Sequence, residues 1–247
     1  MKRSQWLVPL VTLTFLLVAC EVSLTLARVS TFIFPKPTLI VKALVENWGW
    51  IVANLQVTAM EAVVGFALSI VLGITLSTVC LFVPQAENLV VPFAIAIRNV
   101  PFVALAPILF MTMGYGPWPK IIIVMIVSFF PIMTNLTAGF ASAEVAQKER
   151  FFVWRATRWQ MFVKLQLPSA IPYFVAGLEI AVSNIIIAAI VGELMGTTKG
   201  LGLVIIMAVS QYRFPLLMAT VVVTTALSIV TTWLLRQAMR IAFSPWN

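Results

Sequence analysis

The stretch 171–195, IPYFVAGLEIAVSNIIIAAIVGELM, decides the fold class of this protein. A helix needs about 20 mostly apolar residues to cross a hydrocarbon core of roughly 30 Å, and this stretch is long enough. It contains no Lys or Arg, and its two carboxylates, Glu179 and Glu193, stand among isoleucine, valine and alanine. Because water cannot solvate such a helix favourably along its length, the stretch predicts a membrane-spanning segment.

Five other stretches have the same apolar character and a similar length. With 171–195 they predict six transmembrane helices, at 6–26, 57–83, 89–113, 121–140, 171–195 and 216–235. Of the 247 residues, 62% are apolar and 10% are charged, whereas soluble proteins have about 25% charged residues. The mean hydropathy of +1.06 agrees with this pattern. The composition excludes a soluble globular protein and predicts an all-α integral membrane protein.

Residue types that usually perform catalysis or bind metals are scarce. The chain has no His, and its 8 acidic residues are all Glu, so the commonest general base and metal ligand is missing. Cys20 and Cys80 lie in separate apolar runs, which supports neither a disulfide framework nor a zinc site. No GxxxxGK[ST] phosphate-binding loop occurs, so this chain does not itself hydrolyse ATP. We therefore expect no enzyme, no metal site and no cofactor in this chain.

The 16 Lys and Arg residues, which give a net charge of +8, predict the orientation in the membrane. Basic residues near span ends are retained on the cytoplasmic side. With both termini in the cytoplasm, the external cations are Arg28, Lys36, Lys42, Lys120, Lys199 and Arg213. The cytoplasmic cations are more numerous: Lys2, Arg3, Lys148, Arg150, Arg155, Arg158, Lys164, Arg236 and Arg240. Since the cations lie mostly between spans, we expect no nucleic-acid partner.

The N-terminal region allows two interpretations. Leu17-Val18-Ala19-Cys20, after a basic start and an apolar run, has the form of a lipoprotein signal with a lipid-accepting cysteine. The apolar run continues to Ala27 and five more spans follow, which favours an uncleaved first span. We predict three regions: 1–56 with the first helix and an external segment, 57–241 as the transmembrane domain, and 242–247 as a short cytoplasmic tail.

Charged side chains inside the predicted spans are expected to face a pathway or a partner, because each costs about 2.5 to 3.5 kcal/mol on insertion scales. Arg98 in the third span and Glu179 in the fifth lie at similar depth, so we predict an ion pair between them. This pair either braces the bundle or lines the pathway. Glu61 and Glu193 lie near the outer ends of their spans, where both can reach interfacial water.

Uncharged polar side chains near the middle of the membrane are also candidates for binding solute, because amide groups bind anions or neutral rings without a large desolvation cost. Hydrogen bonding between helices is the alternative for each of them. The pathway-lining candidates are Arg98, Asn99, Asn135, Glu179, Ser183 and Asn184. Pro101 and Pro107 each leave a carbonyl without its helical donor, so the third span is predicted to be kinked.

The stretch 142–166 is the only long polar segment, and it lies between the fourth and fifth spans on the predicted cytoplasmic side. Its charged residues are interleaved with large aromatic ones: Phe151, Phe152, Trp154, Trp159 and Phe162. This pattern predicts a helix-turn-helix beneath the membrane, with one side against the bundle. The other side either binds a partner protein or is held by anionic lipid headgroups.

The end of this segment resembles a known motif. RATRWQMF at 155–162, followed by LPSAIP at 167–172, resembles the cytoplasmic coupling loop of permease subunits of type I ABC importers. In that family the sequence Glu-Ala-Ala, three residues, Gly precedes a Leu-Pro, and the loop docks into the ATPase subunit. Glu149 falls on the family's Glu, and Arg155 falls on its Gly.

The Arg at the position of the family's Gly is a departure with consequences. Gly permits the tight turn between two short helices, whereas Arg155 adopts a positive φ only with strain. Either the turn is built differently, or this subunit engages its ATPase more weakly, beside a second permease with an intact loop.

The resemblance extends over about residues 35–246. IRNVP at 97–101, GYG at 114–116, GEL at 192–194 and GLG at 200–202 match further positions of the family in the same order. Their combination is typical of the branch that serves nitrate, bicarbonate, sulfonates, taurine and certain vitamin precursors.

The resemblance implies a multi-pass permease in the bacterial inner membrane, forming half of a pore for a small anion or a vitamin precursor. The implied partners are ATP-binding cassette ATPase subunits that carry the ATP and Mg, a second permease copy or paralogue, an external solute-binding protein and membrane lipid. The implied ATPase-coupling residues are Glu149, Arg155, Arg158, Trp159, Phe162, Leu167 and Pro168. The alternative is a secondary transporter or channel subunit that acts without an ATPase, although no inverted repeat is visible in the sequence.

Overall fold

Helices make up all the regular secondary structure of residues 4–242, the part of the chain that the computed structural model describes. Its α-helices are α1 Ser4–Leu26, α2 Pro37–Glu46, α3 Trp48–Phe82, α4 Pro84–Asn99, α5 Phe102–Met113, α6 Trp118–Ala141, α7 Val145–Val153, α8 Arg158–Met161, α9 Leu167–Leu194, α10 Leu201–Ser210 and α11 Phe214–Ala242. A π-helical turn, Phe162–Gln166, joins α8 to α9. The predicted cytoplasmic residues Lys2 and Arg3, and the tail beyond 242, lie outside this part.

Long apolar helices confirm the predicted all-α membrane fold. Within the described residues, four helices are long and apolar enough to cross a membrane: α3, α6, the continuous helix Arg158–Leu194 and α11. The bent pair of α4 and α5 makes a fifth if it forms one span. The predicted count of six is not confirmed. The helix α1 continues through Cys20 without a break.

The prediction that 89–113 forms a single kinked helix is wrong. The structure has two helices, α4 and α5, whose axes are bent by 95°. Val100 between them is extended, with φ −68° and ψ 124°. A residue that precedes proline is pushed out of the helical region, and Pro101 has no N–H to continue the hydrogen-bond ladder. The sequence Val100-Pro101 therefore breaks the helix and does not merely kink it.

The second predicted span, 57–83, begins too late. The helix α3 starts at Trp48, because 48–56 continue the same helix despite their polar side chains. Asn54, which falls in the predicted external segment, is buried. Its Nδ2 donates to the carbonyl oxygen of Trp50 at 2.8 Å, so part of its hydrogen-bonding capacity is met within the helix.

The core of the bundle is formed by α6 and α9, with α3 packed along them. Glycines set these close approaches. A Cβ built on Gly177 of α9 would lie 2.9 Å from the carbonyl oxygen of Pro131 in α6, and one on Gly65 of α3 would lie 2.8 Å from that of Ile121. Small residues let membrane helices approach backbone to backbone. This packing places the polar residues of α6 and α9 next to one another.

Candidate functional site

The polar segment 142–166 forms the predicted helix-turn-helix, with α7 followed by a turn and α8. Arg155 in the turn has φ +50°, which is the left-handed conformation. The N–H of Arg155 donates to the carbonyl of Phe152, and the N–H of Ala156 donates to that of Phe151, each at 3.0 Å. This is the pattern that closes a helix with a left-handed residue, a position normally held by Gly. Arg155 thus takes the left-handed conformation at the position of the family's Gly.

The second helix of the segment begins with a capping box. The Thr157 hydroxyl accepts a hydrogen bond from the Gln160 N–H at 3.2 Å, and the Gln160 Oε1 accepts one from the Thr157 N–H at 2.8 Å. Two backbone donors at the start of α8 are satisfied in this way. The turn between α7 and α8 is thus fixed at both ends by local hydrogen bonds.

Phe162 anchors this segment to the bundle. Its ring is buried and lies 5.3 Å from that of Phe82 in α3 and 5.7 Å from that of Phe140 in α6, both edge-to-face. Trp159 stacks on Phe82 at 6.4 Å, yet 64% of it is exposed. Among the other predicted coupling residues, Glu149, Arg155, Arg158 and Leu167 are exposed, and Pro168 is half-buried in the first turn of α9.

An exposed apolar patch lies at the other end of the segment. It consists of Phe152, Val153 and Trp154, which are 80%, 75% and 73% exposed. Charged residues, Glu149, Arg150 and Arg158, precede and follow it in the sequence and are themselves exposed. Contiguous exposed apolar side chains rimmed by polar ones mark a surface for a protein or membrane partner.

Replacing Arg155 with glycine tests the strain in this turn. We expect Arg155→Gly to stabilise the turn by about 1 kcal/mol, because Gly adopts a positive φ without the Cβ penalty. Thermal unfolding in detergent measures the change. The substitution Arg150→Gly is the matched control, since it lies within α7 and should destabilise that helix by roughly 1 kcal/mol. An unchanged or lower unfolding midpoint for Arg155→Gly would contradict a strained, left-handed Arg155 in this turn.

A cavity of about 600 Å³ lies where α4 and α5 meet α6 and α9. Its wall is mainly apolar, and its polar side chains are Arg98, Thr134, Asn135 and Asn184. Since Arg98, Ile180 and Asn184 remain exposed, this chain does not close the cavity on all sides. The bend between α4 and α5 contributes directly, because Ile97, Arg98 and Val100 at the break line it.

The structure places the predicted pathway residues in two groups. Arg98, Asn135 and Asn184 line the cavity, whereas Asn99, Glu179 and Ser183 do not. The predicted ion pair between Arg98 and Glu179 is wrong. Glu179 Oε1 lies 3.7 Å from Arg236 Nε on α11, and the Arg98 guanidinium lies over the Phe130 ring, 4.8 Å from its centre. The similar membrane depth of Arg98 and Glu179 did not reveal that α11, and not α4, faces α9 at Glu179.

A buried polar cluster holds the start of α10 near the end of α9. The backbone N–H groups of 200–202 donate, in order, to Asn54 Oδ1, Thr58 Oγ1 and Glu193 Oε2, at 2.8, 2.9 and 2.7 Å. The Thr58 hydroxyl also donates to Glu193 Oε1 at 2.7 Å. The first N–H groups of a helix have no partners within it, and here α3 and α9 provide them.

A buried ion pair adjoins this cluster. Lys120 Nζ lies 2.5 Å from Glu61 Oε1 and donates to Thr197 Oγ1 at 3.2 Å. Glu61 and Glu193 are 0% exposed and Lys120 is 3% exposed. The prediction that both carboxylates reach interfacial water is therefore wrong, because α6 and α10 cover them. Lys120, predicted as an external loop residue, lies inside the bundle.

The residues that sequence reasoning missed are Lys120, Asn54 and Thr134. The sequence contained one signal for Lys120. It lies at the outer start of the fourth predicted span, at the same depth as Glu61 near the outer end of the second. Buried charges are normally paired. Within the described residues, no group of three or more His, Cys or acidic side chains is placed to hold a metal.

The long apolar helices and the cavity between α4, α5, α6 and α9 are features of a multi-pass membrane protein that moves a solute. Comparison with known proteins gives the family. The model described as "binding-protein-dependent transport system inner membrane component" matches residues 65–241. The chain belongs to this family, and it is a permease subunit of the ABC importer type. The predicted family is thereby confirmed, and it is favoured over a secondary transporter or channel.

Relatives of known description cover between 83% and 100% of this chain. The chain is 33% identical to the formylaminopyrimidine transport permease of Halalkalibacterium halodurans, over 100% of this chain and 99% of the relative. It is 27% identical to the riboflavin transport system permease of Chloroflexus aurantiacus, over 96% and 89%. It is also 27% identical to the putative aliphatic sulfonates transport permease of Bacillus subtilis, over 83% and 75%.

Solved structures agree on the fold. An inward-facing structure of the MetNI methionine ABC transporter matches with a TM-score of 0.62 at 17% identity, covering 78% of this chain and 94% of that one. An amino acid ABC transporter matches with the same TM-score at 14% identity, covering 80% and 94%.

Proposed function

We propose that this chain forms half of the pore of an ATP-driven importer in the bacterial inner membrane, with both termini in the cytoplasm. ATP and Mg would be bound by separate ATPase subunits, and the segment 142–166 would dock onto them. An external solute-binding protein would deliver the solute. The observation that carries this proposal is the exposed patch Phe152–Trp154 on a segment that Phe162 anchors to the ends of α3 and α6.

One continuous helix connects the segment 142–166 to the cavity. Arg158–Leu194 is one continuous helix of 37 residues, about 55 Å long at 1.5 Å per residue. It begins in the docking segment, and Ile180 and Asn184 in its middle line the cavity. Its irregularities are the π-helical turn at Phe162–Gln166 and Pro172 inside α9. A displacement of α8 would be carried along this helix to the cavity wall on α9.

A second permease, either a copy of this chain or a paralogue, would complete the cavity. Arg98, Ile180 and Asn184 are exposed at its open side, although all three belong to its wall. Apolar side chains of α4 and α5 are exposed as well: Leu89, Phe93 and Met111 are 74%, 65% and 88% exposed. Membrane lipid would cover the remaining outer faces of the bundle.

The solute that we favour is a nitrogen heterocycle of the vitamin-precursor class, rather than an inorganic anion or a sulfonate. The relative that matches over the full length of both chains is described as a formylaminopyrimidine permease. The cavity also provides a mainly apolar wall with few polar groups, as binding sites for drug-sized rings do.

Alanine substitutions at Arg158 and Trp159 test the docking role of the segment. We expect each to lower solute-stimulated ATPase activity of the reconstituted complex about tenfold, because exposed Trp and Arg side chains dominate binding energy at protein interfaces. Lys164→Ala is the control. Lys164 is an exposed cation of the π-helical turn and is not one of the predicted ATPase-coupling residues. ATPase subunits that do not co-purify with the wild type in detergent, or normal stimulation in both variants, would refute the docking role.

A further inference from the structure

The polar groups of the cavity wall are partly used within their own helices. The Thr134 hydroxyl donates to the carbonyl of Phe130 at 2.9 Å, so its only hydrogen is occupied. Asn135 Nδ2 donates to the carbonyl of Pro131 at 2.8 Å, and Asn184 Nδ2 donates to that of Ile180 at 3.0 Å. An amide nitrogen has two hydrogens. Each Asn therefore keeps one N–H and its carbonyl oxygen.

The remaining groups of each amide have no hydrogen-bond partner among the described residues. Neither the Asn135 Oδ1 nor the Asn184 Oδ1 accepts a hydrogen bond from any other residue of the described range 4–242. Both residues belong to the cavity wall, one on α6 and one on α9. Asn135 lies beside Gly177, where a Cβ would be 3.1 Å from the Asn135 Cβ. Asn184 is two helical turns further along α9, about 10 Å at 1.5 Å per residue, so one ring between the two helices can reach both amides.

A free amide has a definite ligand preference. It offers one donor and one acceptor side by side, which is the complement of an amino group next to a ring nitrogen, as in the pairing of Asn with adenine. Nitrate and sulfonate carry only acceptors, so they leave both amide oxygens unpaired. The two amides therefore favour a ring that bears amino groups over an oxoanion. The wall's cation, Arg98, lies over the Phe130 ring.

We propose that Asn135 and Asn184 are the specificity-determining residues of the cavity, and that they recognise an amino-substituted nitrogen heterocycle through hydrogen bonds to its amino group and the adjacent ring nitrogen. This inference rests on the proposed import function. The apolar part of the wall, including Phe102 and Leu105, packs against the faces of the ring. A volume of about 600 Å³ is sufficient for a single substituted ring.

Direct binding to the permease–ATPase complex, purified without any solute-binding protein, tests the proposal. The probes are 4-amino-2-methylpyrimidine and its 4-oxo counterpart, in which the donor and acceptor positions are exchanged. We expect the wild type to bind the amino form about tenfold more tightly, because a mismatched partner leaves buried polar groups unpaired. Asn135→Leu and Asn184→Leu should each weaken binding of the amino form about tenfold and remove the preference.

Asn99→Leu is the matched control, because it makes the same change at an amide outside the cavity wall, and it should bind both probes as the wild type does. Asn184 is exposed, so Asn184→Leu leaves the core intact even if Asn135→Leu fails to assemble. Equal binding of the two probes by the wild type, no binding of either, or an unchanged preference in Asn184→Leu would overturn the inference. ATP-dependent solute uptake by the same wild-type complex is the separate test of import.

Discussion

Replacing Lys120 with methionine is expected to lower the unfolding midpoint of the protein in detergent by about 10 °C. The substitution leaves the Glu61 carboxylate, 0% exposed, without the ammonium group 2.5 Å away. Removing one partner of a buried ion pair costs about 3 to 5 kcal/mol. For a chain of this size, each kcal/mol shifts the midpoint by roughly 2 to 4 °C. Thermal unfolding followed by circular dichroism measures the effect.

A double variant separates charge from packing in this prediction. Lys120→Met combined with Glu61→Leu removes both charges and should recover most of the lost stability, since well-packed apolar residues often replace a buried pair without loss. Lys199→Met, at an exposed lysine of the nearby loop, should change stability by less than about 0.5 kcal/mol. A Lys120→Met protein as stable as the wild type would contradict the buried pairing.

The second large effect is expected for Phe162→Ala. This change removes the ring that contacts Phe82 and Phe140, and truncating a buried Phe typically costs about 3 to 5 kcal/mol. Here the loss falls on the attachment of the docking segment to α3 and α6. We therefore expect ATP-dependent uptake in proteoliposomes to fall about tenfold or more, while ATPase subunits still co-purify through the exposed residues of α7 and α8.

Phe152→Ala is the matched comparison for this prediction. Phe152 lies in the same segment but is 80% exposed, so its loss should leave thermal stability unchanged and weaken only the retention of ATPase subunits. Phe162→Ala is thus expected to impair the transmission of movement to the bundle, and Phe152→Ala the binding of the ATPase subunits. Normal uptake by Phe162→Ala would show that the segment transmits movement through other contacts.

The fold class follows from the sequence because apolar runs long enough to span a membrane have few alternatives to a helix. The break at Val100-Pro101 was predicted only as a kink. Whether a proline kinks a helix or ends it depends on how the neighbouring helices pack against it, and the sequence does not show that packing. Arg155 is the opposite case. The alignment to a Gly position raised the question of a positive φ, and the turn has φ +50°.

Side-chain pairing was less predictable than the helices. The choice of Arg98 as the partner of Glu179 rested on depth, whereas partners are selected by which helix faces are in contact. Arg236 reaches Glu179 because α11 packs against α9. The sequence of either helix alone does not show that the two pack together. Asn135 and Asn184 were predicted because amides bind anions or neutral rings without a large desolvation cost, and both line the cavity. Lys120 was missed because its position at a span end looked exposed.

The attachment of α10 to the end of α9 has a thermodynamic consequence. Glu193 near the last turn of α9 accepts a hydrogen bond from the first turn of α10, and the same α9 continues without interruption from α8 at the opposite surface. If binding at α10 changes the affinity for a partner at α8 by some factor, that partner must change the affinity at α10 by the same factor, because linkage between two binding sites is reciprocal. Affinity measured on one side of the bilayer should therefore report occupancy on the other.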